Sequence, residues 1–424
     1  MTLCPPMTEI SECRACAGPD LVTVRAFGKT PLADRLQDPA AVGPDYRAPL
    51  TLCHCTACGL CQLRETIAPR ILFGKTYPYH SSVSPALLAH FADSAHAIMA
   101  RTGLGPQDLV IEAASNDGYM LQAFQAAGHS VLGIDPADGP VREARRKGID
   151  TLHDFFTAAL ARKLAASGQR ARVFLANNVL AHVTAVNDFI SGITTLLTDD
   201  GLAVIEVPYL LDLVDGGAFD TIYHQHLLYL SLTSLVPLFA RHGLYLNDVE
   251  RLWVHGGSLR LFLSRKPGQS ARLETLLHME NDRGVNSFEF YQPFLNRIDR
   301  LADHTRQAIN VLQQTGKTVA GYGAAAKATT LLHVLDLPMG ALSCIFDKSP
   351  WKHGKTMPGA GLEIRPAETL SDRDVDAVLL LAWNFADEIL AENAAYLEAG
   401  GRFLIPVPEF REVSTRLATR KGQA

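Results

Sequence analysis

Seven of the eight cysteines fall within the first 61 of 424 residues, at positions 4, 13, 16, 53, 55, 58 and 61, and only Cys344 stands apart. In a reducing compartment such thiols do not persist as disulfides, but two short pairs can close on one another around a tetrahedral Zn²⁺. Cys13-Arg14-Ala15-Cys16 is one CxxC pair, and Cys55-Thr56-Ala57-Cys58 is a second, followed by Gly59. A glycine there suits a tight knuckle in which backbone N–H groups approach the sulfurs. Cys58 with Cys61 and Cys53 with Cys55 are rival pairings. Gly59 and the strand-like runs LTLCHC and LCQL favour Cys55 and Cys58, as a ribbon hairpin would. A redox dithiol or unligated core cysteines are the alternatives, and the lack of a βαβ context around either CxxC argues against the redox version. Four thiolates leave no open coordination position, so the ion is expected to fold this segment and do no chemistry.

The rest of the chain is long enough for two or three domains. Hydrophobic residues are 47% and charged residues 20% of the chain, which excludes a disordered or fibrous chain. A net charge of -5 provides no basic field for nucleic acid or a membrane surface, and neither partner is expected. The start, MTLCPPMTEISEC, lacks a secretory pattern, and no apolar run approaches a membrane span, so a cytoplasmic address is expected.

From Asp108 onward, strand-like and helix-like segments alternate: DLVIEAASNDGYMLQAF, SVLGIDPADG, RVFLANNVLAHV and GLAVIEVPYL. This βαβ pattern predicts a parallel sheet whose ligand sits at the carboxyl ends of its strands. Polar residues gather at those ends: Glu112, Ser115, Asn116, Asp117 and Gly118, then Asp135, then Asn177, Asn178 and His182. EAASNDG is not GxGxxG, which disfavours a pyrophosphate at this turn. Asp135 suits two ribose hydroxyls, and Glu112 suits a cationic group such as the sulfonium of S-adenosylmethionine. Each acid alone is equally well read as a helix cap or a solvated loop residue. Their order together favours methyl transfer.

The segment FDTIYHQHLLY places Tyr223, His224, Gln225, His226 and Tyr229 within seven positions. An imidazole beside a phenol can take a proton from a carbon next to a carbonyl and steady the resulting enolate. A metal role would call for a third nearby ligand, which the immediate flanks do not supply. HGGSLR follows, where Arg260 is either a phosphate ligand or part of a hairpin. A second strand–glycine–helix pattern starts at KTVAGYGAAAKATTLL, with Asp347 ending the next strand. Gly321-Tyr322-Gly323-Ala324-Ala325-Ala326 fits a dinucleotide turn or simply close helix–sheet packing. Lys327, Lys348, Lys352 and Lys355 form a basic rim suited to a diphosphate.

Read in order, CxxC…CxxCGLxQL, LFGKTYPYHSSVS, EAASNDGYML, NNVLAHV, FDTIYHQH, HGGSLR and GYGAAAKATTLL resemble the zinc-containing, S-adenosylmethionine-dependent sugar C-methyltransferases over nearly the whole chain. The resemblance implies an α/β protein of three parts. These are a zinc-ribbon-like domain (1–68), a central Rossmann-like class I methyltransferase domain (69–268), and a C-terminal Rossmann-like domain (269–424) that helps bind a nucleotide sugar. It puts Cys13, Cys16, Cys55 and Cys58 on zinc. Glu112, Ala114, Ser115, Asn116, Asp117, Gly118, Asp135 and Asn178 fall in the cofactor pocket. Tyr77, His182, Tyr223 and His226 fall in the active site, with His226 as the base and His224 and Gln225 beside it. Tyr79, Ser81, Ser82, Arg260, Tyr322, Lys327 and Lys352 are the substrate-binding candidates.

The implied substrate is a nucleotide-diphosphate 4-keto-deoxysugar, handled by a monomer or homodimer. Two departures stand out: Ala114 replaces the family's usual glycine, and YHQH replaces its usual YHEH, so that Gln225 offers no negative charge. The competing readings are an NAD-dependent oxidoreductase acting on a nucleotide sugar, and a zinc-ribbon binding module with degenerate enzyme domains.

Overall fold

A computed structural model describes residues 2–3, 6–38, 45–73, 85–372 and 374–415. The central sheet has seven strands in the order Tyr245–Leu252, Ser258–Ser264, Leu197–Pro208, Ala171–Asn177, Leu109–Ala113, Ser130–Asp135 and Thr151–His153. The five strands from Leu197–Pro208 to Thr151–His153 pair in parallel, and Ser258–Ser264 runs antiparallel to both of its neighbours. Their near-continuous apolar runs follow from burial on both faces. Val110, Val173, Leu175 and Val204 pack into one core with Phe91, Met120 and Phe124. The alternate residues Ile111, Phe174, Ala176 and Ile205 enter the core on the opposite face. Strand order reverses between Leu109–Ala113 and Ala171–Asn177, so a crevice is expected outside their carboxyl ends.

The C-terminal sheet follows the same scheme with six strands: Ile364–Pro366, Ile345–Asp347, Val319–Tyr322, Ala377–Leu380, Arg402–Ile405 and an antiparallel edge, Arg411–Val413. Its switch in order lies between Val319–Tyr322 and Ala377–Leu380. A 23-residue helix, Gln292–Gln314, runs between the sheets and buries Phe294, Ile298, Leu301, Thr305, Ile309 and Leu312, a spacing of three or four that makes one apolar stripe. The helix Ala271–Asp282, beyond the expected boundary at 268, packs on the central unit. Its buried Glu280 accepts hydrogen bonds from the backbone N–H groups of Leu232 and Thr233 and from the Tyr209 hydroxyl.

The N-terminal sheet is built on Asp45–Cys55, flanked by Leu21–Pro31 and Cys61–Leu63. Its last strand comes from far along the chain, for Leu228–Tyr229 pairs antiparallel with Cys61–Leu63. One continuous apolar core joins these three sheets, from Leu50 and Leu63 through Ile205 and Phe219 to Leu331 and Leu379.

The seating of the EAASNDG turn depends on Gly133 in the neighbouring strand. A β-carbon there would stand 2.5 Å from Ser115 Oγ and 2.9 Å from Thr151 Oγ1. We predict that Gly133→Ala folds but shifts this turn. Calorimetry should show S-adenosylhomocysteine affinity reduced about tenfold or more, with unfolding temperature lowered by only a few degrees.

Candidate active site

The four predicted zinc ligands converge. The sulfurs of Cys13, Cys16, Cys55 and Cys58 all lie within 4.8 Å of one another, and the Cys13–Cys58 and Cys16–Cys55 pairs are each 3.6 Å apart. Sulfurs about 2.3 Å from a tetrahedral zinc stand about 3.8 Å from one another, so the set fits the ion. Each pair sits on a knuckle: Ala17 N–H bonds Cys13 O, and Gly59 N–H bonds Cys55 O. Ala17 and Gly59 both adopt left-handed backbone. Gln62 donates its side-chain amide to Cys13 Sγ at 3.1 Å, and the Gly18 N–H reaches Cys16 Sγ at 3.4 Å. Cys53 and Cys61 are buried apart from this cluster, and burial pushes the Cys53 thiol up to about 11. When bound, zinc supplies structural closure.

At the central switch point, Glu112 is fully buried at the end of its strand. Its Oε1 accepts from Asn177 Nδ2 at 3.0 Å and from the Tyr119 hydroxyl at 3.3 Å, while Oε2 has no partner among the described residues. Loss of water raises its pKa to about 8, against the opposing pull of Asn177 and Tyr119. Asn177 is a neighbour that the site prediction passed over for Asn178, although both stand in the NNVLAHV run.

Asp135, also buried, accepts the Asn116 N–H at 2.9 Å and the Ala137 N–H at 2.8 Å, one on each oxygen. That leaves one lone pair per oxygen for a ribose diol. Asp117 points its charge at Lys147, 3.0 Å away. The turn is left-handed at Ala114, Asn116 and Gly118, and so is Asn178 on the adjacent strand end. Buried Ser115 Oγ and Asn178 Oδ1 also lack partners among the described residues. Unsatisfied acceptors around a left-handed turn fit a nucleoside with a cationic end, and S-adenosylmethionine, when bound, supplies an electrophilic methyl group.

The histidine segment is held between this crevice and the N-terminal sheet. Leu227 N–H bonds Ala181 O at 2.7 Å, and Leu63 N–H bonds Leu227 O at 2.9 Å. A tight turn brings Tyr223 and His226 together, with ring centroids 4.2 Å apart and Tyr223 Oη 3.0 Å from His226 Nε2. His226 Nδ1–H donates to the Thr221 carbonyl at 2.8 Å, so Nε2 carries the lone pair and receives the phenol proton. The His182 ring lies 4.9 Å from that of His226 and gives its Nδ1–H to the Gln225 carbonyl at 2.6 Å. Burial pushes the His182 pKa down, which favours the neutral form of this neighbour.

His224 and Gln225 do not join this group as reacting residues. His224 is buried, its Nε2–H donates to the Pro49 carbonyl at 3.0 Å, and desolvation pushes its pKa down to about 4. Tyr77, Tyr79, Ser81 and Ser82 lie outside the described residues.

Three substrate candidates turn out differently from expectation. Arg260 is buried in the sheet opposite Glu206 and bonds the carboxylates of Glu206 at 3.2 Å and Glu250 at 3.3 Å, so its charge is already matched and faces no open cleft. Tyr322 is a core residue, 3% exposed and packed toward Phe403. Lys327 is drawn inward: its Nζ sits 4.2 Å from the Trp383 ring centre and bonds Asn384 Oδ1. Burial lowers the Lys327 pKa to about 8 despite the charge of Asp220.

Asp220 itself accepts Trp383 Nε1–H at 2.6 Å, and Thr330 Oγ1 bonds the Ile222 carbonyl at 2.7 Å. The C-terminal unit therefore grips the histidine segment directly. Asp220 lies in the FDTIYHQH run without being singled out there, and no motif marked Trp383 beforehand. Lys352 bonds Asp347 at 3.2 Å and the Ala324 carbonyl at 3.0 Å. The glycines of GYGAAA serve packing, since a β-carbon on Gly323 would lie 2.4 Å from Ala382 Cβ.

A family model described as a C-methyltransferase C-terminal domain matches residues 253–408, and one for a methyltransferase domain matches 88–249. A third, for a candidate zinc binding domain, matches 13–73. The C-methyltransferase NovU of Streptomyces niveus is 36% identical over 409 residues, which cover 96% of this chain and 97% of that one. Among solved structures, magnesium protoporphyrin IX methyltransferase of Synechocystis PCC 6803 with bound SAH is 18% identical. That match covers 46% of this chain and 92% of that one, at a TM-score of 0.35. The PH0226 protein of Pyrococcus horikoshii OT3 is 14% identical over 44% of this chain and 95% of that one, also at 0.35.

The cysteine geometry generates a test. The purified protein should carry zinc in a one-to-one ratio by elemental analysis, and Cys55→Ser should lose it. Structural zinc contributes on the order of 10 kcal/mol to small domains, so that variant should melt at a markedly lower temperature and lose turnover as the strand Leu228–Tyr229 loses its partner. A zinc-free protein of unchanged stability would contradict the assignment.

Proposed function

The chain belongs to the S-adenosylmethionine-dependent C-methyltransferases that carry a zinc-binding domain, and from that premise we propose that it methylates a nucleotide-linked 4-keto-deoxysugar at a carbon beside the carbonyl. The observation that carries this reading is the Tyr223–His226 pair, a phenol donating to an imidazole whose other nitrogen is tied to a backbone carbonyl. Carbon methylation needs a carbanion, and a ketone makes one at its α-carbon once a base and an oxygen donor act together.

His226 Nε2 takes the α-proton. The Thr221 carbonyl, accepting from Nδ1, stabilises the imidazolium that forms. Tyr223 turns its O–H from Nε2 toward the developing enolate oxygen and steadies it as a hydrogen-bond donor, keeping its proton, while the abstracted proton stays on the imidazolium. His182 stays neutral beside it. With S-adenosylmethionine bound, Glu112 and Asp135 would hold the donor, and it would supply the electrophilic methyl group that the enolate carbon needs. The diphosphate of the substrate is assigned to the C-terminal switch point, where Lys352 supplies positive charge.

The proposed domain limits of 1–68, 69–268 and 269–424 accommodate this division of labour, with the histidine segment where all three units meet.

We predict that His226→Asn keeps S-adenosylhomocysteine affinity within about twofold while turnover of a 4-keto nucleotide sugar falls at least about a hundredfold. Wild-type turnover in that variant would remove His226 from the role.

Glu112 provides a second test. With a pKa near 8 in the free protein it is protonated at neutral pH, and a bound sulfonium favours its ionised form. Binding of S-adenosylmethionine should therefore release a proton, and affinity should rise with pH up to about 8 and then level off. S-adenosylhomocysteine, without the sulfonium, should show a shallower rise, and Glu112→Gln should flatten both. Identical slopes for the two ligands would place the sulfonium elsewhere.

A further inference from the structure

Two hydrogen bonds from the C-terminal unit land on the residues either side of Thr221, whose carbonyl receives His226 Nδ1–H. Upstream, Asp220 is fully buried and its Oδ2 accepts Trp383 Nε1–H at 2.6 Å. Downstream, the Ile222 carbonyl accepts the hydroxyl of buried Thr330 at 2.7 Å. Trp383 opens the short helix Trp383–Phe385 after the strand Ala377–Leu380, and Thr330 lies in the helix Ala328–Leu335 after the strand Val319–Tyr322. Both grips therefore come from the elements that follow the two strands of the C-terminal switch point.

The carbonyl between them is aimed by its own turn. Asp220 and Thr221 belong to the single helical turn Phe219–Thr221, in which Ile222 N–H bonds Phe219 O at 3.0 Å. A planar trans peptide points its carbonyl opposite to its N–H, so this bond turns Thr221 O outward, where it meets His226 Nδ1 at 2.8 Å. One turn of this kind has few hydrogen bonds with which to keep its direction. The bonds at Asp220 and Ile222 supply the restraint from outside. The indole that grips Asp220 is itself held, with Lys327 Nζ 4.2 Å from its ring centre and bonded to Asn384 Oδ1.

We propose that Asp220 and Thr330 are positioning residues for C-methyl transfer. By pinning the turn on both sides of Thr221 they fix the Thr221 carbonyl, and that carbonyl fixes His226 in the tautomer whose Nε2 carries the lone pair. The proposal rests on the acid–base reading of His226 given above. Contacts that served only to join the two units could fall anywhere along the segment. These fall on the two neighbours of the carbonyl that the base uses.

Three variants remove the bonds with little change of shape or charge elsewhere. Trp383→Phe keeps an aromatic ring without the N–H, Asp220→Ala removes its acceptor, and Thr330→Val loses the hydroxyl alone. The tautomer can be read by NMR without any sugar, in protein carrying isotope-labelled histidine at a pH where the ring is neutral. The His226 ring nitrogens, assigned by their loss in His226→Asn, should show a protonated Nδ1 and a bare Nε2 in wild type.

Each variant should move these two signals toward a mixture of tautomers. It should also lower kcat about fivefold or more, with KM changed less than about threefold and S-adenosylhomocysteine affinity within about twofold. Asp220→Ala and Trp383→Phe remove the same bond, so the double variant should stay within about twofold of the worse single. Wild-type ring signals in the folded single variants would overturn the proposal, as would losses that multiply in the double. If the Asp220 and Trp383 variants fail to fold, Thr330→Val decides: mixed tautomers support the clamp, and an unmoved tautomer refutes it. A wild type that leaves 4-keto nucleotide sugars untouched would sink the substrate reading, and the ring signals would still decide for or against the clamp.

Discussion

The active site depends on a two-residue strand. Leu228–Tyr229 completes the metal-closed N-terminal sheet by pairing with Cys61–Leu63, three residues beyond the last zinc ligand. His224 adds a second anchor on the Pro49 carbonyl. The turn that juxtaposes Tyr223 and His226 is therefore fixed at its downstream end by a sheet that cannot close without its four sulfurs. With every position filled by cysteine the ion would be structural, and the sheet that it closes positions the His226 ring. From the other side, Trp383 and Thr330 of the C-terminal unit hold Asp220 and Ile222, the upstream end of the same segment.

Both candidate active-site histidines are oriented by backbone carbonyls rather than by carboxylates, through Thr221 for His226 and Gln225 for His182. A carbonyl fixes the tautomer as well as a carboxylate does, but adds less to basicity. On the proposed mechanism, that suits a base removing a proton already acidified by a neighbouring ketone. The buried acids lie one step away: burial raises the pKa of both Glu112 and Asp220, against the pull of Lys327 on Asp220.

Much of this was legible in the sequence, and the reason differs by element. The zinc set could be read because its chemistry is local: CxxC spacing and the knuckle glycine specify it without knowledge of the rest of the fold. The central strands were legible because burial on both faces leaves continuous apolar runs, and Tyr223 and His226 because a turn of three residues unites them. Arg260 and Tyr322 misled because a sequence shows residue type and not facing. Both strands place these side chains inward, Arg260 against Glu206 and Tyr322 toward Phe403. His224 misled for the same reason, being one position out of step with the reacting face. The role of Asp220 was not legible because its partner, Trp383, is more than 150 positions away.

The central claim is that His226 generates a carbanion beside a ketone. The direct measurement is proton exchange without methyl transfer: incubate the protein with a 4-keto nucleotide sugar and S-adenosylhomocysteine in heavy water, and follow the α-hydrogens by NMR. Exchange at one carbon with wild type, abolished in His226→Asn, is the predicted result. Exchange that is equally fast in the variant, or absent in a wild type that still methylates the sugar, would contradict it.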